Sequence, residues 1–301
     1  MTDKIFAVIT NFSKKHKFQN NAVIKSFIPV YHWFQRLVTT RVKLVPGSAS
    51  MFATARQDNF LAENAGRVSA VADMLADDKS KETYLGIIKF RQTGLKKDFP
   101  FKHYEKRQYF IDELRLGKDE VFIDCGAFNG DTLDAFFKHC GDCRRAVAFE
   151  PDSKNFGALQ KKYGNRPNVT LINAGVYDRD GELRFDMQEN GESRIVDSVS
   201  ENIGGESACI LVKSIDGLSL SESVSFIKMD VEGAETNALK GAEKTILRDK
   251  PKLAICIYHS NEDMVRIAEY IHGLLPEYKL YVRQHFLFPS CAETVLYAVM
   301  P

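Results

Sequence analysis

The stretch Val121-Phe-Ile-Asp-Cys-Gly-Ala-Phe-Asn-Gly-Asp-Thr132 decides the fold of this 301-residue chain. It passes from an apolar, strand-like run through Asp124 into a turn that carries Gly126 and Gly130, and then into a helical segment. Glycine adopts turn dihedrals that other residues avoid and lets a ligand approach the backbone closely. The exposed N–H groups at the start of the next helix favour an electron-rich ligand. The stretch therefore predicts a strand, a ligand-binding turn and a helix.

After Gly117, short apolar runs alternate with helical segments, as in βαβ units around a parallel sheet. Five runs predict parallel strands, at 121–124, 145–149, 169–173, 226–230 and 253–258. The crossover helices are predicted at 131–139, 153–163, 235–248 and 262–275. Two further strand-like runs, 278–285 and 293–300, flank a loop containing Pro289 and predict a C-terminal hairpin. An α/β fold with a mostly parallel, Rossmann-like sheet and an antiparallel C-terminal hairpin is the layout of class I methyltransferases, whereas dehydrogenases usually lack that ending.

The first third of the chain predicts helices. Segments 59–77 and 79–93 carry apolar residues at three- and four-residue spacing, and no strand alternation of any length occurs before Leu116. Pro46-Gly47-Ser48 predicts a break after an N-terminal helical arm. We therefore expect a helical N-terminal region, residues 1–115, and a Rossmann-like domain, residues 116–301.

Composition excludes several classes of function. With 41 Lys plus Arg against 40 Asp plus Glu, the net charge of +1 supplies no broad basic field, so we predict no nucleic-acid partner. The longest apolar stretch, Phe27–Val38, is shorter than the ~20 residues that span a bilayer, so we expect no stable membrane insertion. Six scattered cysteines and the lack of a signal-peptide apolar core predict a reduced, cytoplasmic protein. The oligomeric state is not predicted.

Glu150 makes the glycine turn more specific. It follows the second predicted strand, twenty residues beyond Gly130, where a carboxylate can accept hydrogen bonds from both hydroxyls of a ribose. The turn alone is equally well explained by tight packing. Its Gly126-x-x-x-Gly130 spacing departs from the G-x-G-x-x-G of dinucleotide enzymes, and no G-K-[ST] string binds a triphosphate. S-adenosylmethionine, which has a ribose but no phosphate, fits this pattern.

Four strings resemble the FkbM family of S-adenosylmethionine-dependent methyltransferases over about residues 115 to 300. They are Val121–Thr132, Phe149-Glu-Pro151, Asn173-Ala-Gly-Val176 and, most specifically, Ile227-Lys-Met-Asp-Val-Glu-Gly-Ala-Glu235. His259 also falls where the family usually carries a histidine. The resemblance implies a methyl donor, a cytoplasmic location, and O-methylation of a sugar, a glycan or another hydroxylated small molecule.

The resemblance also implies where the donor binds. Asp124 and its neighbours on the turn would surround the methionine end and the sugar, Glu150 the ribose hydroxyls and Asn173 the adenine region, while Asp230 closes the pocket. Asp124 suits the donor's ammonium group, although it could equally be a structural cap on the turn. The predicted donor-binding residues are Asp124, Gly126, Ala127, Asn129, Gly130, Thr132, Glu150, Asn173 and Asp230.

A hydroxyl acceptor must lose its proton, so a base must lie within hydrogen-bond reach. Asp230, Glu232, Glu235 and His259 follow adjacent predicted strands, at the edge where open α/β sheets bind ligands. We predict that Asp230, His259 and Glu232 are catalytic. Glu235 more simply favours the first turn of its helix, and Lys228 could pair with Glu232.

Other interpretations stay open. Asp230, His259 and Asn261 could hold a divalent metal, although we predict none. A nicotinamide-dependent oxidoreductase on a related fold and a non-catalytic S-adenosylmethionine-binding partner protein are the alternative functions. Segment 187–206 is expected to be a solvated loop, or else a lid carrying Arg194. The aromatic pair Tyr109-Phe110 and the dipeptide Phe90-Arg91 are expected in the core, or else over the pocket.

Overall fold

The computed structural model of the protein describes residues 59–187, 193–196, 207–286 and 291–301. All of them belong to one compact unit, Ala49–Pro301. The predicted helical arm, the break at Pro46–Ser48 and the apolar stretch Phe27–Val38 lie outside the described residues.

Strands and helices alternate along most of the described chain. The strands are β1 (Val121–Cys125), β2 (Arg145–Phe149), β3 (Val169–Ile172), β4 (Gly175–Val176), β5 (Gly181–Met187), β6 (Ser193–Val196), β7 (Ser207–Lys213), β8 (Phe226–Met229), β9 (Lys252–Cys256), β10 (Lys279–Gln284) and β11 (Thr294–Val299). The helices are α1 (Phe60–Glu63), α2 (Ala65–Met74), α3 (Asp78–Thr93), α4 (Asp131–Cys140), α5 (Ser153–Tyr163), α6 (Glu235–Lys240), α7 (Glu243–Asp249) and α8 (Asp263–Leu274). Three short 3-10 turns, Lys96–Asp98, Phe101–His103 and Asp112–Leu114, connect α3 to β1.

The central sheet has seven strands in the order β10-β11-β9-β8-β1-β2-β3. The five strands from β9 to β3 are parallel, and β11 runs antiparallel to both of its neighbours, β9 and β10. This arrangement confirms the predicted Rossmann-like sheet with an antiparallel C-terminal hairpin. The carboxyl ends of β1, β2, β8 and β9 therefore meet at one edge, where the predicted site residues follow them.

A second, four-stranded sheet has the order β4-β7-β5-β6 and was not predicted. Strand β5 pairs antiparallel with both β7 and β6. The expectation of a continuous loop over 187–206 is wrong at Ser193–Val196, which is strand β6 and places Arg194 opposite Asp186 in the register. The polar sequence lacks the two-residue apolar alternation that would reveal such a strand. Residues 188–192 and 197–206 lie outside the described part of the chain.

The predicted helix 235–248 is two helices, because Gly241 interrupts it between α6 and α7. A Cβ at Gly241 would lie 2.0 Å from the backbone oxygen of Tyr177, so this close approach requires glycine. The carboxylate of Asp216 then accepts hydrogen bonds from the N–H groups of Lys244 and Thr245, at 3.0 and 2.8 Å, in the first turn of α7. The contact between Gly241 and Tyr177 thus ends α6, and the Asp216 carboxylate satisfies the free N–H groups at the start of α7.

The described N-terminal helices pack on the central sheet. Tyr84 and Ile87 of α3 share an apolar core with Leu280 of β10. Arg283 of β10 is fully buried, and its Nη2 lies 2.7 Å from Oδ2 of Asp77, the residue before α3. The boundary between residues 115 and 116 stays a prediction. No helix within the ranges that the structure describes is long and apolar enough to cross a bilayer.

Candidate active site

The turn after β1 has positive φ angles at both of its glycines, as predicted from the sequence. Gly126 and Gly130 have φ of +81° and +87°, in the left-handed region that favours glycine. A Cβ at Gly126 would lie 1.9 Å from the backbone oxygen of Asp230, so the turn passes directly against the end of β8. The N–H groups of Gly126 and Ala127 donate to the carbonyl oxygen of Phe149, at 3.1 and 2.8 Å. The turn is therefore held between the ends of β2 and β8.

Glu150 fixes the same turn from the end of β2. The residue is 5% exposed; its Oε2 accepts from the N–H of Phe128 at 2.8 Å and its Oε1 from the N–H of Asp152 at 2.9 Å. Burial raises the pKa of Glu150, and these two hydrogen bonds act in the opposite direction. The Asn155 side chain also donates to this carboxylate. A carboxylate has about four acceptor positions, so Glu150 retains capacity for a ligand hydroxyl. Asn173 lies beside it, and its Nδ2 donates to the Glu150 carbonyl oxygen at 2.8 Å.

Asp124 is fully buried, and its charge is balanced by Lys228. Register places the two residues opposite each other on β1 and β8, and Lys228 Nζ lies 3.1 Å from Asp124 Oδ1. Lys228 also donates to the carbonyl oxygen of Gly126 at 2.7 Å. Burial alone would lower the pKa of Lys228, but the charge of Asp124 raises it. The alternative in which Lys228 pairs with Glu232 is wrong. The ammonium group instead contacts Asp124 and the carbonyl oxygens of Cys125 and Gly126.

Asp230 follows β8 and accepts hydrogen bonds from two tyrosines. Its Oδ2 lies 2.8 Å from the hydroxyl of Tyr109, and its Oδ1 lies 3.2 Å from the hydroxyl of Tyr258. Burial alone would raise the pKa of Asp230, but the charges of Lys228 and His259 and the Tyr109 hydroxyl hold it below the ordinary value. The side chain is 23% exposed, so an ionised carboxylate faces the site edge.

His259 lies among three carboxylates. Its Nδ1 is 3.0 Å from Glu235 Oε1, and its Nε2 is 3.6 Å from both Asp230 Oδ1 and Glu232 Oε2. Burial alone would lower the pKa of His259, but the neighbouring charges, Glu235 first among them, raise it to about 9. With this pKa the imidazole is protonated at neutral pH, and its positive charge offsets the neighbouring carboxylates. In this state neither ring nitrogen can accept a proton.

The two glutamates of the Lys228–Glu235 string differ in environment. The side chain of Glu232 is 81% exposed, and its backbone has a φ of +53°, next to Gly233 at +91°. Glu235 is fully buried, and its Oε1 accepts from the N–H of Val231 at 2.9 Å. Glu235 thus closes the turn before α6, in line with a structural role, and also contacts the imidazole of His259. Glu232 lies on the rim of the site.

The Methyltransferase FkbM domain family model matches residues 124–282, just over half of the chain. The chain belongs to the FkbM methyltransferase family. It is an S-adenosylmethionine-dependent enzyme, and this replaces the oxidoreductase and non-catalytic alternatives. The match begins at Asp124 and includes the glycine turn, Glu150, Asp230 and His259, which the structure brings to one edge of the sheet.

Solved structures include a relative of this FkbM methyltransferase. The methyltransferase FkbM from Methylobacillus flagellatus KT is 25% identical, with a TM-score of 0.71 over 89% of this chain and 70% of that one. An rRNA methylase from Streptococcus thermophilus is 18% identical, with a TM-score of 0.40 over 63% of this chain and 93% of that one. The N-methyltransferase NodS from Bradyrhizobium japonicum is 12% identical, with a TM-score of 0.36 over 62% and 79%. A search of curated protein sequences finds no match.

The donor-side residues fit S-adenosylmethionine. Glu150 keeps acceptor capacity beside the turn. Asp124 is fully buried and paired with Lys228, in line with its structural interpretation as support for the turn. The Glu150 carboxylate suits the ribose hydroxyls of the donor. An added Cβ at Gly126 would meet the Asp230 backbone, and one at Gly130 would meet the Tyr163 ring at 2.9 Å, so both glycines are required by packing within the protein.

Tyr109 and Arg91, expected in the core or else over the pocket, both contact the site, and Tyr258 was not assigned to it. Tyr109 is buried, as its core interpretation expects, yet its hydroxyl reaches Asp230 from outside the family match. Arg91 of α3 donates from Nη1 to Asn261 Oδ1 at 3.0 Å and from Nη2 to the carbonyl oxygen of Tyr258. It therefore positions the loop that carries His259. The sequence could have indicated Tyr258, because it directly precedes His259 at the end of a predicted strand.

The structure groups partly different residues around Asp230 from those that the metal alternative names. Two groups of ligand-type atoms in the described ranges lie within 4.8 Å of one another: Asp230 with Glu235 and His259, and Asp230 with Cys256 and Glu293. Asn261, which the alternative needs, directs its side-chain oxygen to Arg91. The pKa of His259 is raised to about 9 and burial raises the pKa of Cys256, and both shifts oppose the deprotonated forms that bind a metal. The prediction of no metal stays a prediction.

Proposed function

We propose that this FkbM methyltransferase methylates a hydroxyl group of a sugar, a glycan or another small molecule. One observation carries the proposal: the donor turn lies directly against Asp230, an ionised carboxylate at the edge of the site. The added Cβ at Gly126 would meet the Asp230 backbone, so the residue that carries the acid adjoins the turn. A base adjacent to the methyl donor is the arrangement that hydroxyl methylation requires.

The donor side of the proposal uses the predicted binding residues. Glu150 accepts hydrogen bonds from the ribose hydroxyls, and Asn173, which is bound to the Glu150 backbone, lies toward the adenine. Asp124, paired with Lys228, supports the turn that receives the donor, and Gly126 and Gly130 let that turn pack against Asp230 and helix α5. When bound, S-adenosylmethionine supplies a methyl group on a positively charged sulfur. Ala127, Asn129 and Thr132 complete this proposed side of the pocket.

Asp230 is the proposed base. Its lowered pKa keeps it ionised, and the hydroxyls of Tyr109 and Tyr258 hold its two oxygens in place. It accepts a hydrogen bond from the acceptor hydroxyl and takes the proton as the new bond to oxygen forms. His259, a cation held by Glu235, keeps negative charge from accumulating around Asp230.

The acceptor side is rich in carboxylates and hydroxyls, which favours a polyhydroxylated molecule. Glu232 projects from the rim and can accept hydrogen bonds from further hydroxyls. A net charge of +1 offers no general attraction for nucleic acid. The unpaired state of all six cysteines supports the proposed cytoplasmic location.

The test is transfer of a labelled methyl group to a panel of sugar nucleotides, lipid-linked glycans and phenols. Asp230→Asn should lower turnover about 100- to 10,000-fold, and binding of S-adenosylhomocysteine should change far less. Glu150→Ala should instead lose that binding. Asp119→Asn, a change at an exposed acid before β1, is the matched control.

Each outcome separates one part of the proposal from another. Full turnover in Asp230→Asn would show that this carboxylate is not the base. If the enzyme labels only amines or thiols, transfer to a hydroxyl is wrong, whatever the donor affinity.

A further inference from the structure

Phe128 has an unusual conformation within the donor turn. It lies between Gly126 and Gly130 and has a φ of +48°, in the left-handed region that bulky side chains avoid. Glycine would adopt this backbone without strain. A phenylalanine at this point therefore has a conformational cost, and such costs concentrate at ligand-binding sites.

The side chain of Phe128 is not part of the core. The residue is 48% exposed, whereas Phe136 on the following helix α4 is fully buried and packs on Phe122 at a ring-centroid distance of 4.6 Å. Folding thus gains little from the Phe128 ring, because apolar burial supplies the stabilisation that an aromatic side chain contributes. Packing does not explain why an aromatic residue occupies this turn.

The backbone of Phe128 is bound to the proposed ribose-binding residue. Its N–H donates to Glu150 Oε2 at 2.8 Å. A nucleoside whose ribose is held by the Glu150 carboxylate therefore lies beside residue 128. The exposed ring is attached at the point where the adenosine half of the donor would pass.

We propose that Phe128 binds the donor by covering the adenosine half of S-adenosylmethionine with its aromatic ring. This inference rests on the donor site proposed above. An aromatic ring contacts a ribose and an adenine through its apolar face and by stacking. Because the residue is 48% exposed, ligand contact can bury ring surface that folding leaves in water.

The experiment measures binding of S-adenosylhomocysteine by calorimetry to wild-type enzyme and to four variants. Phe128→Ala and Phe128→Gly both remove the ring, and each should weaken binding about 10- to 100-fold, the range seen when a base loses its stacking partner. Phe128→Tyr keeps the ring and should bind within about 3-fold of wild type. Phe101→Ala removes a different ring, from a residue that is 45% exposed, and should leave binding unchanged.

Thermal unfolding provides a second readout. Phe128→Gly should melt at a higher temperature than Phe128→Ala, because alanine keeps the left-handed strain and glycine releases it. Equal melting temperatures would contradict the strained backbone. If affinity is lost in alanine but retained in glycine, the backbone and not the ring is responsible, and the proposal is overturned.

Glu150→Ala separates this inference from the donor site itself. If Glu150→Ala loses binding while Phe128→Ala binds like wild type, the ring does not contact the donor, although the site is correctly placed. If neither variant loses affinity, both the inference and the proposed donor site are wrong.

Discussion

Replacing Gly126 with alanine should destabilise the protein and abolish donor binding, because the added methyl group has no space. The Cβ would lie 1.9 Å from the backbone oxygen of Asp230 and 3.1 Å from its carbonyl carbon. A carbon and an oxygen in close contact are about 3.3 Å apart, so the turn and the end of β8 must separate by about 1.4 Å. That shift would disrupt the hydrogen bond from Lys228 to the Gly126 carbonyl oxygen.

Two terms set the magnitude of the destabilisation. Gly126 has a φ of +81°, a left-handed conformation that costs about 1–2 kcal/mol for a residue with a Cβ. Forcing an extra methyl group into a packed position typically costs a further 1–3 kcal/mol, roughly. The free energy of unfolding should therefore fall by about 2–5 kcal/mol, which lowers the melting temperature by about 10 °C in a domain of this size.

Two other glycines separate these terms. Gly233 has a φ of +91°, and an added Cβ would lie 3.8 Å from the His259 Cβ, an ordinary contact, so Gly233→Ala carries only the conformational term. Gly157 lies within helix α5 with nothing within 4 Å, and Gly157→Ala should stabilise the protein by about 1 kcal/mol. Urea unfolding followed by circular dichroism measures all three, and calorimetry with S-adenosylhomocysteine measures donor binding. If Gly126→Ala costs no more than Gly233→Ala, the close approach of the turn to Asp230 is refuted.

Two further predictions concern the charges of the site. Lys228→Met should lower the free energy of unfolding by about 3–5 kcal/mol, because the fully buried Asp124 carboxyl group loses its ion-pair partner. Adding Asp124→Asn should recover part of that loss in the same urea experiment, and a purely additive double variant would contradict the pairing. The pKa of His259 is about 9 in the folded protein against an ordinary 6.5, so its stabilising contribution is complete below pH 6.5 and is lost as the pH rises through 9. His259→Gln should remove that alkaline loss, and an imidazole NMR titration with a midpoint near or below 6.5 would contradict the assignment.

Local pattern was sufficient for most of the central sheet. The limits of strand β2, 145–149, and of helix α5, 153–163, agree with the predicted limits to the residue, because each apolar pattern ends at a change in composition. The predicted 235–248 helix failed at Gly241, where contact with Tyr177 decides the break. The second sheet was missed because its polar strand β6 is specified by pairing with β5 and carries no alternation of its own.

The sequence by itself determined the Rossmann-like fold, the family, the methyl donor and the positions of the glycine turn and Glu150. These features depend on motifs within short stretches of consecutive residues, which can be seen without knowledge of the tertiary structure. Only the tertiary structure decided that Lys228 pairs with Asp124, that Tyr109 reaches Asp230 and that His259 is a cation. Those facts depend on which distant groups meet and on how much water is excluded around them, because burial and neighbouring charge, and not residue type, set the pKa of a side chain.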